Sequence, residues 1–411
     1  MNIDQQVSYL MRGTEYGDQA MYEAMKKELR IRLIDSERTG HPLRVYCGYD
    51  PRTSDLHIGH TVTMRKLSQF QELGHQVIFL IGTYTALIGD PSDKDKLRAQ
   101  LSPDEAKANA ESYAEQAFRI LDREKTDVRY NAEWLSKLTF KDLIHLASNF
   151  TIQQFMTREN FRKRFENEEA VYFHELFYAI MQGYDAYALE ADVQVGGTDQ
   201  MFNIMTAARK IMVYYNKKPN IGIILGILPG TDGEVKMSKS FGNHIPLNTS
   251  PEDMFGKVMS IPDKAMSSYA RLVTRWTMDI INDFEKHIDS GELHPRDAKM
   301  VLAEEITSAF FDQQAAEKAN QHFVQLFQQN EKPDQIPEFQ PLGEAVLLEV
   351  LVDSGLVDSK SQARRLIEQK GVKVNDQTAE DPYEILTAPS VVQVGKRRFV
   401  KIVNTNPDKN S

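Results

Sequence analysis

Hydrophobic spacing divides the chain into regions of different texture. Over residues 4–37, Leu10, Met21, Met25 and Leu29 stand among charged residues, the spacing of amphipathic helices lying on a larger body. Residues 44–50 (RVYCGYD) are short, apolar and partly alternating, and predict a strand. Residues 58–73 place Met64, Leu67, Phe70 and Leu73 at helical spacing, with Gly74 as the stop. Residues 76–82 (QVIFLIG) are apolar throughout, as in a strand covered on both faces. Residues 193–195 and 221–228 predict further strands, and helical stretches fall near 103–123, 140–166, 171–190 and 200–214. Such alternation implies an α/β fold with a parallel sheet between helices. Ligands of these sheets bind beyond the carboxyl ends of the strands, so the loops after residues 50 and 82 are the first places to seek chemistry.

Residues 248–330 carry no strand signal and predict an all-helical domain. Residues 331–342 hold Pro333, Pro337 and Pro341 and read as a partly extended linker. The remainder, 343–411, predicts a small α+β unit. Leu347, Leu348, Leu351 and Val352 have helical spacing, and Ser359 with Gln362 forms a capping-box pattern opening a helix that Gly371 closes. Strands are expected at 371–375, 391–394 and 399–403. Basic residues gather at Lys360, Arg364, Arg365, Lys370 and Lys373, and again at Lys396, Arg397, Arg398 and Lys401. A helix and hairpin basic on one face suit structured RNA, although a solvated helix face gives the same charge run.

Composition narrows the class. With 49 basic and 59 acidic residues the net charge is −10, which disfavours a general polyanion binder. Residues 343–411 are nevertheless neutral, so the acidity belongs to the first 342 residues and a placed cationic footprint survives at the C-terminal end. The single cysteine, Cys47, excludes an intramolecular disulfide and a multi-cysteine zinc site, as expected in a reducing compartment. The N-terminus lacks a basic segment followed by an apolar core, and the apolar run 77–89 is shorter than the roughly 20 residues of a membrane span. A cytoplasmic protein without a membrane partner is expected.

Two motifs carry chemistry. His57-Ile58-Gly59-His60 follows the first strand and the turn 50–55, at the start of a helix. Two imidazoles three residues apart share a helix face, and the helix N-terminus adds free N–H groups and partial positive charge. That combination suits a phosphate, and Gly59 lets a flat base approach the backbone. Lys236-Met237-Ser238-Lys239-Ser240, followed by Phe241-Gly242-Asn243, lies in the loop 230–247 and can close two lysines over a polyphosphate. The chain has neither a G-x-x-x-x-G-K-[ST] nor a G-x-G-x-x-G sequence, which disfavours a P-loop kinase and a dinucleotide dehydrogenase.

HIGH and KMSKS together on an α/β fold resemble the class I aminoacyl-tRNA synthetases. The runs 46–51 (YCGYDP), 85–92 (TALIGDPS), 131–134 (NAEW) and 196–200 (GGTDQ), with Tyr178, Gln182 and Asp185, are similar to the tyrosyl-tRNA synthetases, and the GGTDQ form to their second bacterial subtype. The last 70 residues resemble the S4 RNA-binding domain of the bacterial enzymes. The resemblance spans essentially the whole chain. It implies a Rossmann-like catalytic domain over 1–247, a dimer-forming insertion near 125–190, the helical domain on the anticodon side, and L-tyrosine, ATP and tRNA(Tyr) as substrates. Mg²⁺ is implied on the departing pyrophosphate, with no dedicated protein metal site.

It also implies roles for residues. Tyr46 and Asp185 would flank the substrate phenol; Asp90, Tyr178 and Gln182 would take the α-amino group; Gln194 and Gln200 would line the pocket. Cys47, Asp50, Gly59, Gly197 and Asp199 would surround ATP. His57 and His60 would contact phosphates, with Lys94, Arg98, Lys236, Lys239 and Ser240 clamping the pyrophosphate. The tRNA would meet Lys360, Arg364, Arg365, Lys370, Lys373, Lys396, Arg397 and Arg398. Arg52 stands where many relatives have threonine, and Met201-Phe202 where the other subtype has Trp-Gly, so both positions are expected to tune activity. A tryptophanyl-type enzyme, usually HIGN at the first motif, and a catalytically inactive RNA-binding relative are the competing readings.

Overall fold

The structure, a computed structural model, describes residues 1–51, 55–91, 103–327, 336–341, 343–357, 359–395 and 398–403. Arg52, Lys94, Arg98, Lys396 and Arg397 lie outside these residues. The chain forms two compact units, Met1–Glu317 and Lys318–Ser411.

The first unit is built on five parallel strands: β1 (Arg44–Tyr49), β2 (Gln76–Ile81), β3 (Thr126–Tyr130), β4 (Val193–Gly197) and β5 (Ile221–Leu225). Their order is β3-β2-β1-β4-β5. The expected sheet is therefore present. β2 and β5 bury nearly every side chain, which is why their sequences are apolar without alternation. The order reverses direction between β1 and β4, where Tyr46 pairs with Gln194. A crevice at such a switch point is the usual ligand site of an open parallel sheet.

Sequence and structure differ at several elements. The strand β3 falls inside the stretch read as an insertion; its residues TDVRY are polar and half-buried at the sheet edge, so no apolar run announces it. The helical stretch 140–166 is three helices, Phe140–Ala147, Ile152–Phe155 and Glu159–Glu166. Thr139 and Thr151 each cap a new start, accepting from the N–H groups of Asp142 and Gln154. The stretch 200–214 contains a π-helix, Asn203–Ala208, running into an α-helix, Arg209–Tyr214. Gly183 lies against this bulge: a Cβ there would sit 3.1 Å from the Ala207 carbonyl carbon.

Residues 251–327 are helical as expected, from Pro251–Met259 to Gln313–Phe327. The second unit holds β6 (Glu338–Phe339), β7 (Val372–Val374), β8 (Gln377–Thr378), β9 (Ser390–Val394) and β10 (Arg398–Ile402), in the order β6-β10-β9-β7-β8. β6, inside the stretch read as a partly extended linker, pairs with β10 and adds an edge to this sheet. Ser359 caps the helix Lys360–Glu368, accepting from Gln362 N–H, and Lys370, not Gly371, takes the left-handed position after it. Leu347, Leu351, Ile367, Val392 and Val400 share one core.

Candidate active site

The strand ends deliver the predicted residues to one crevice. Tyr46 projects from β1 and is fully buried, its hydroxyl 3.5 Å from the Gln182 carbonyl oxygen. Asp185, on the helix Phe173–Ala188, is also buried. Its two oxygens accept from Trp134 Nε1–H at 2.7 Å and Asn131 Nδ2–H at 3.2 Å. Burial pushes the Asp185 carboxyl up to about 8, against the pull of those two donors. Burial, reinforced by Asp185, holds the Tyr46 phenol well above its usual range. The pocket end is therefore a buried acid and a neutral phenol.

A second cluster centres on Asp50, at the carboxyl end of β1. Thr85 Oγ1–H donates to it at 2.7 Å and Tyr178 O–H at 3.1 Å. Tyr178, grouped from sequence with the amino-group acceptors, thus meets Asp50, which the same reading expected on the ATP side. Gly82 makes this arrangement possible, because a Cβ there would lie 2.1 Å from Asp50 Oδ1 and 2.3 Å from Thr85 Oγ1. Gly82→Ala is therefore expected to displace the Asp50 carboxylate and lower kcat/KM for amino-acid activation by roughly 100-fold, the scale of a 1 Å misplacement. Steady-state kinetics check this, and unchanged activity would mean Asp50 tolerates the shift.

Asn203, fully buried at the start of the π-helix, joins the amide side chains. Its Nδ2–H₂ donates to Gln182 Oε1 and Gln200 Oε1, both at 2.9 Å, and Gln200 in turn donates to Asp90. Gln194 is buried and accepts from Asn220 at 3.3 Å. Asp90, Gln182 and Gln200 thus form one network. π-Bulges often mark functional sites, and this one carries the network's central donor.

The HIGH motif begins its helix, Ile58–Glu72, with His57 as N-cap. The His57 N–H donates to His60 Nδ1 at 3.2 Å, leaving the His60 Nε2 edge as the protonated one. The two rings lie 3.9 Å apart, and burial drives the His57 imidazole down to about 2, so it is neutral. A Cβ at Gly59 would meet the His57 ring at 2.9 Å, which explains the glycine. Cys47 is buried, and its thiol is pushed up to about 11, so it stays a weak neutral donor.

The KMSKS lysines reach toward the sheet. Lys236 Nζ pairs with Asp199 at 2.7 Å and Lys239 Nζ with Asp55 at 3.0 Å. Ser238 and Ser240 hydroxyls bond at 2.9 Å. Met237 is buried and anchors the loop. Asn243 braces the loop from within: Ser238 N–H donates to its Oδ1, and its Nδ2 donates to Asp232 at 2.6 Å. The roles of Asn131, Trp134, Thr85, Asn203 and Asn243 escaped sequence reasoning. The NAEW, TALIGD and KMSKSFGN runs flagged four of these positions, while Asn203 had no signal.

In the second unit Lys360, Arg364, Arg365, Lys370 and Lys373 are exposed or half-exposed around the helix Lys360–Glu368 and β7. Lys360 pairs with Glu349 at 3.0 Å. Arg398 is exposed as well, and one arm of its guanidinium donates to the Leu356 carbonyl at 2.5 Å.

Comparison with known proteins gives the family. Residues 38–328 match the family described as tRNA synthetases class I (W and Y), and residues 347–392 match the S4 domain. A tyrosine–tRNA ligase of Carboxydothermus hydrogenoformans is 46% identical over 387 residues, covering 92% of this chain and 94% of the relative. One from Haemophilus influenzae is 43% identical, covering 98% of this chain and 97% of its own. The solved tyrosyl-tRNA synthetase of Archaeoglobus fulgidus, in complex with L-tyrosine, superposes with a TM-score of 0.59 at 22% identity, covering 78% of this chain and all of that one, and shares the fold. The chain therefore belongs to the class I tRNA synthetases of the tryptophan and tyrosine group, in their tyrosyl branch with an S4 domain.

Proposed function

We propose that the chain ligates L-tyrosine to tRNA(Tyr) in two steps. The observation that carries this reading is the buried Asp185 carboxyl, held by Trp134 and Asn131 at the pocket end beside Tyr46. A phenol placed there donates to Asp185, already held by Trp134 and Asn131, and accepts from Tyr46 O–H; phenylalanine makes neither hydrogen bond and displaces the water that could, which is the costly outcome. Asp90, Tyr178 and Gln182 offer oxygen acceptors for the ammonium group. The tyrosine carboxylate, already ionised, attacks the α-phosphorus of ATP, its new P–O bond replacing the bond to pyrophosphate. Rate enhancement comes from alignment and from Lys236, Lys239, His57 and His60 meeting charge that develops on the phosphates. Among the described residues no cluster of three or more His, Cys, Asp or Glu is placed to hold a metal. Mg²⁺ would be held by the ATP phosphates, where it offsets charge on the leaving pyrophosphate. In the second step the terminal ribose hydroxyl of tRNA attacks the acyl carbon and AMP departs. Formation of tyrosyl-tRNA from purified enzyme, ATP, tyrosine and tRNA tests the reading; charging of tRNA(Trp) with tryptophan instead would replace it.

The RNA contact is assigned to Arg364, Arg365, Lys370 and Lys373, with Lys360 released from Glu349 on binding. Among the described residues no helix is long and apolar enough to cross a membrane. We place the reaction in the cytoplasm, where its tRNA substrate resides.

A homodimer completes the proposal. Phe140, Ile144, Ile152, Phe165, Phe173 and Val213 are large apolar side chains left exposed, Phe140 by 78% and Phe165 by 70%. Their helices pack on one shared core with Leu146, Phe155, Phe161 and Ile211 beneath. An apolar face of this kind on a soluble body marks an association surface. Phe140→Asp combined with Phe173→Asp is expected to give monomers by sedimentation with the far-UV spectrum unchanged. A persisting dimer would move the interface elsewhere.

A further inference from the structure

We propose that His244 is a third imidazole of the ATP-phosphate site, positioning His57 and tying the HIGH helix to the KMSKS loop. This inference rests on the adenylation reading above and assigns a residue that neither motif contains.

Residues 244–247 are zipped along the entrance of the HIGH helix. Ile58 N–H donates to the Ile245 carbonyl at 2.9 Å, Leu247 N–H donates to the Leu56 carbonyl at 2.9 Å, and His57 bridges Pro246. On the other side of His244, Asn243 grips the lysine loop through Ser238 N–H and Asp232. A shift of the loop is thus passed through His244 to the helix start. The His244 and His57 rings meet edge to face, with centroids 6.2 Å apart and planes at 62°. That contact packs one edge of the His57 ring, whose other neighbours are the His60 ring at 3.9 Å and Gly59.

The nitrogen inventory points to a ligand. His244 Nδ1 is buried without a hydrogen-bond partner among the described residues, and His57 Nδ1, although it faces the His60 N–H in capping-box fashion, makes no well-aligned hydrogen bond. An orphaned buried nitrogen is as unfavourable as a lost hydrogen bond, and native structures keep few of them. Two on facing rings, beside Lys239 and the HIGH helix N-terminus, are accounted for if a phosphate oxygen or its hydration water supplies the missing partner when ATP enters. A ring retained only to fill space would need no nitrogen.

Three substitutions separate these roles. His244→Ala is expected to lower kcat of tyrosine-dependent ATP–pyrophosphate exchange by roughly 10- to 100-fold, the weight of a hydrogen bond to a charged group. The KM for tyrosine should stay unchanged. Single-turnover transfer from preformed enzyme-bound tyrosyl-adenylate to tRNA should stay within about twofold of wild type, because the pyrophosphate has already left. His244→Asn, which keeps a polar atom near Nδ1, should recover part of the rate, and His244→Phe, which keeps only the ring, should not. Wild-type exchange in His244→Phe, or a transfer defect as large as the exchange defect, would overturn the proposal. Absence of tyrosine-dependent exchange in the wild type would instead remove the adenylation reading itself.

Discussion

Asp185→Asn is expected to collapse discrimination between tyrosine and phenylalanine. The carboxylate accepts from Trp134 and Asn131 and is fully enclosed. An amide offers one acceptor oxygen, so one of those donors loses its partner and the substrate phenol loses a charged acceptor. Above about pH 8, where the carboxyl is ionised, losing a buried hydrogen-bonded charge costs about 2–5 kcal/mol, so kcat/KM for tyrosine should fall there by roughly 30- to 5,000-fold. Phenylalanine, which never used the acceptor, should change little. Equal losses for both amino acids would place Asp185 outside the phenol site. The pH profile gives a second check. Because Asp185 titrates near 8 in the free enzyme, the form able to accept from the phenol grows as pH rises. Tyrosine kcat/KM should therefore climb through about pH 8 in the wild type, and Asp185→Asn should lack that limb. Stability has the opposite sign: the folded carboxyl holds its proton more tightly than the unfolded one, so its contribution favours the fold at low pH. It is lost as pH rises from about 4 to about 8.

Lys239→Ala is expected to slow adenylate formation by roughly 100- to 1,000-fold, the effect of removing one preorganised group at developing charge. The equilibrium affinity for tyrosine should be retained, since Lys239 belongs to the loop and not to the amino-acid pocket. The ion pairs that hold the two loop lysines are easily exchanged. Lys239 is held by Asp55 and Lys236 by Asp199, and Lys239 and Asp55 are about half exposed. Such pairs are worth only about 0–1 kcal/mol, so phosphate oxygens displace them readily. Releasing the two lysines from these pairs therefore has little energetic cost. Rapid-quench measurement of adenylate formation tests this, with tyrosine affinity from equilibrium binding as the control. Loss of both together would put Lys239 in the wrong role.

What could be read from sequence follows from where burial is complete. β2 and β5 are covered on both faces, so their apolar runs betray them. β3, half-buried at the sheet edge, carries polar residues and is hidden. β6 lies between Pro337 and Pro341, in a proline-rich sequence that reads as a linker until β10 pairs with it. The π-helix packs against Gly183, where a Cβ would crowd Ala207 and Ile211, a tertiary fact with no local pattern. In the site, motif residues announce themselves because their chemistry is exposed to ligand. Their supports do not. Trp134 and Asn131 act on Asp185 across about 50 positions of sequence, and Asn203 acts through two glutamines.

The central claim is tyrosine activation at the crevice between β1 and β4. Its most direct test is ATP–pyrophosphate exchange by the purified chain with tyrosine, tryptophan or phenylalanine as the sole amino acid. The account predicts rapid exchange with tyrosine and none above background with the other two. Exchange with tryptophan but not tyrosine, or no exchange with any amino acid, would contradict it.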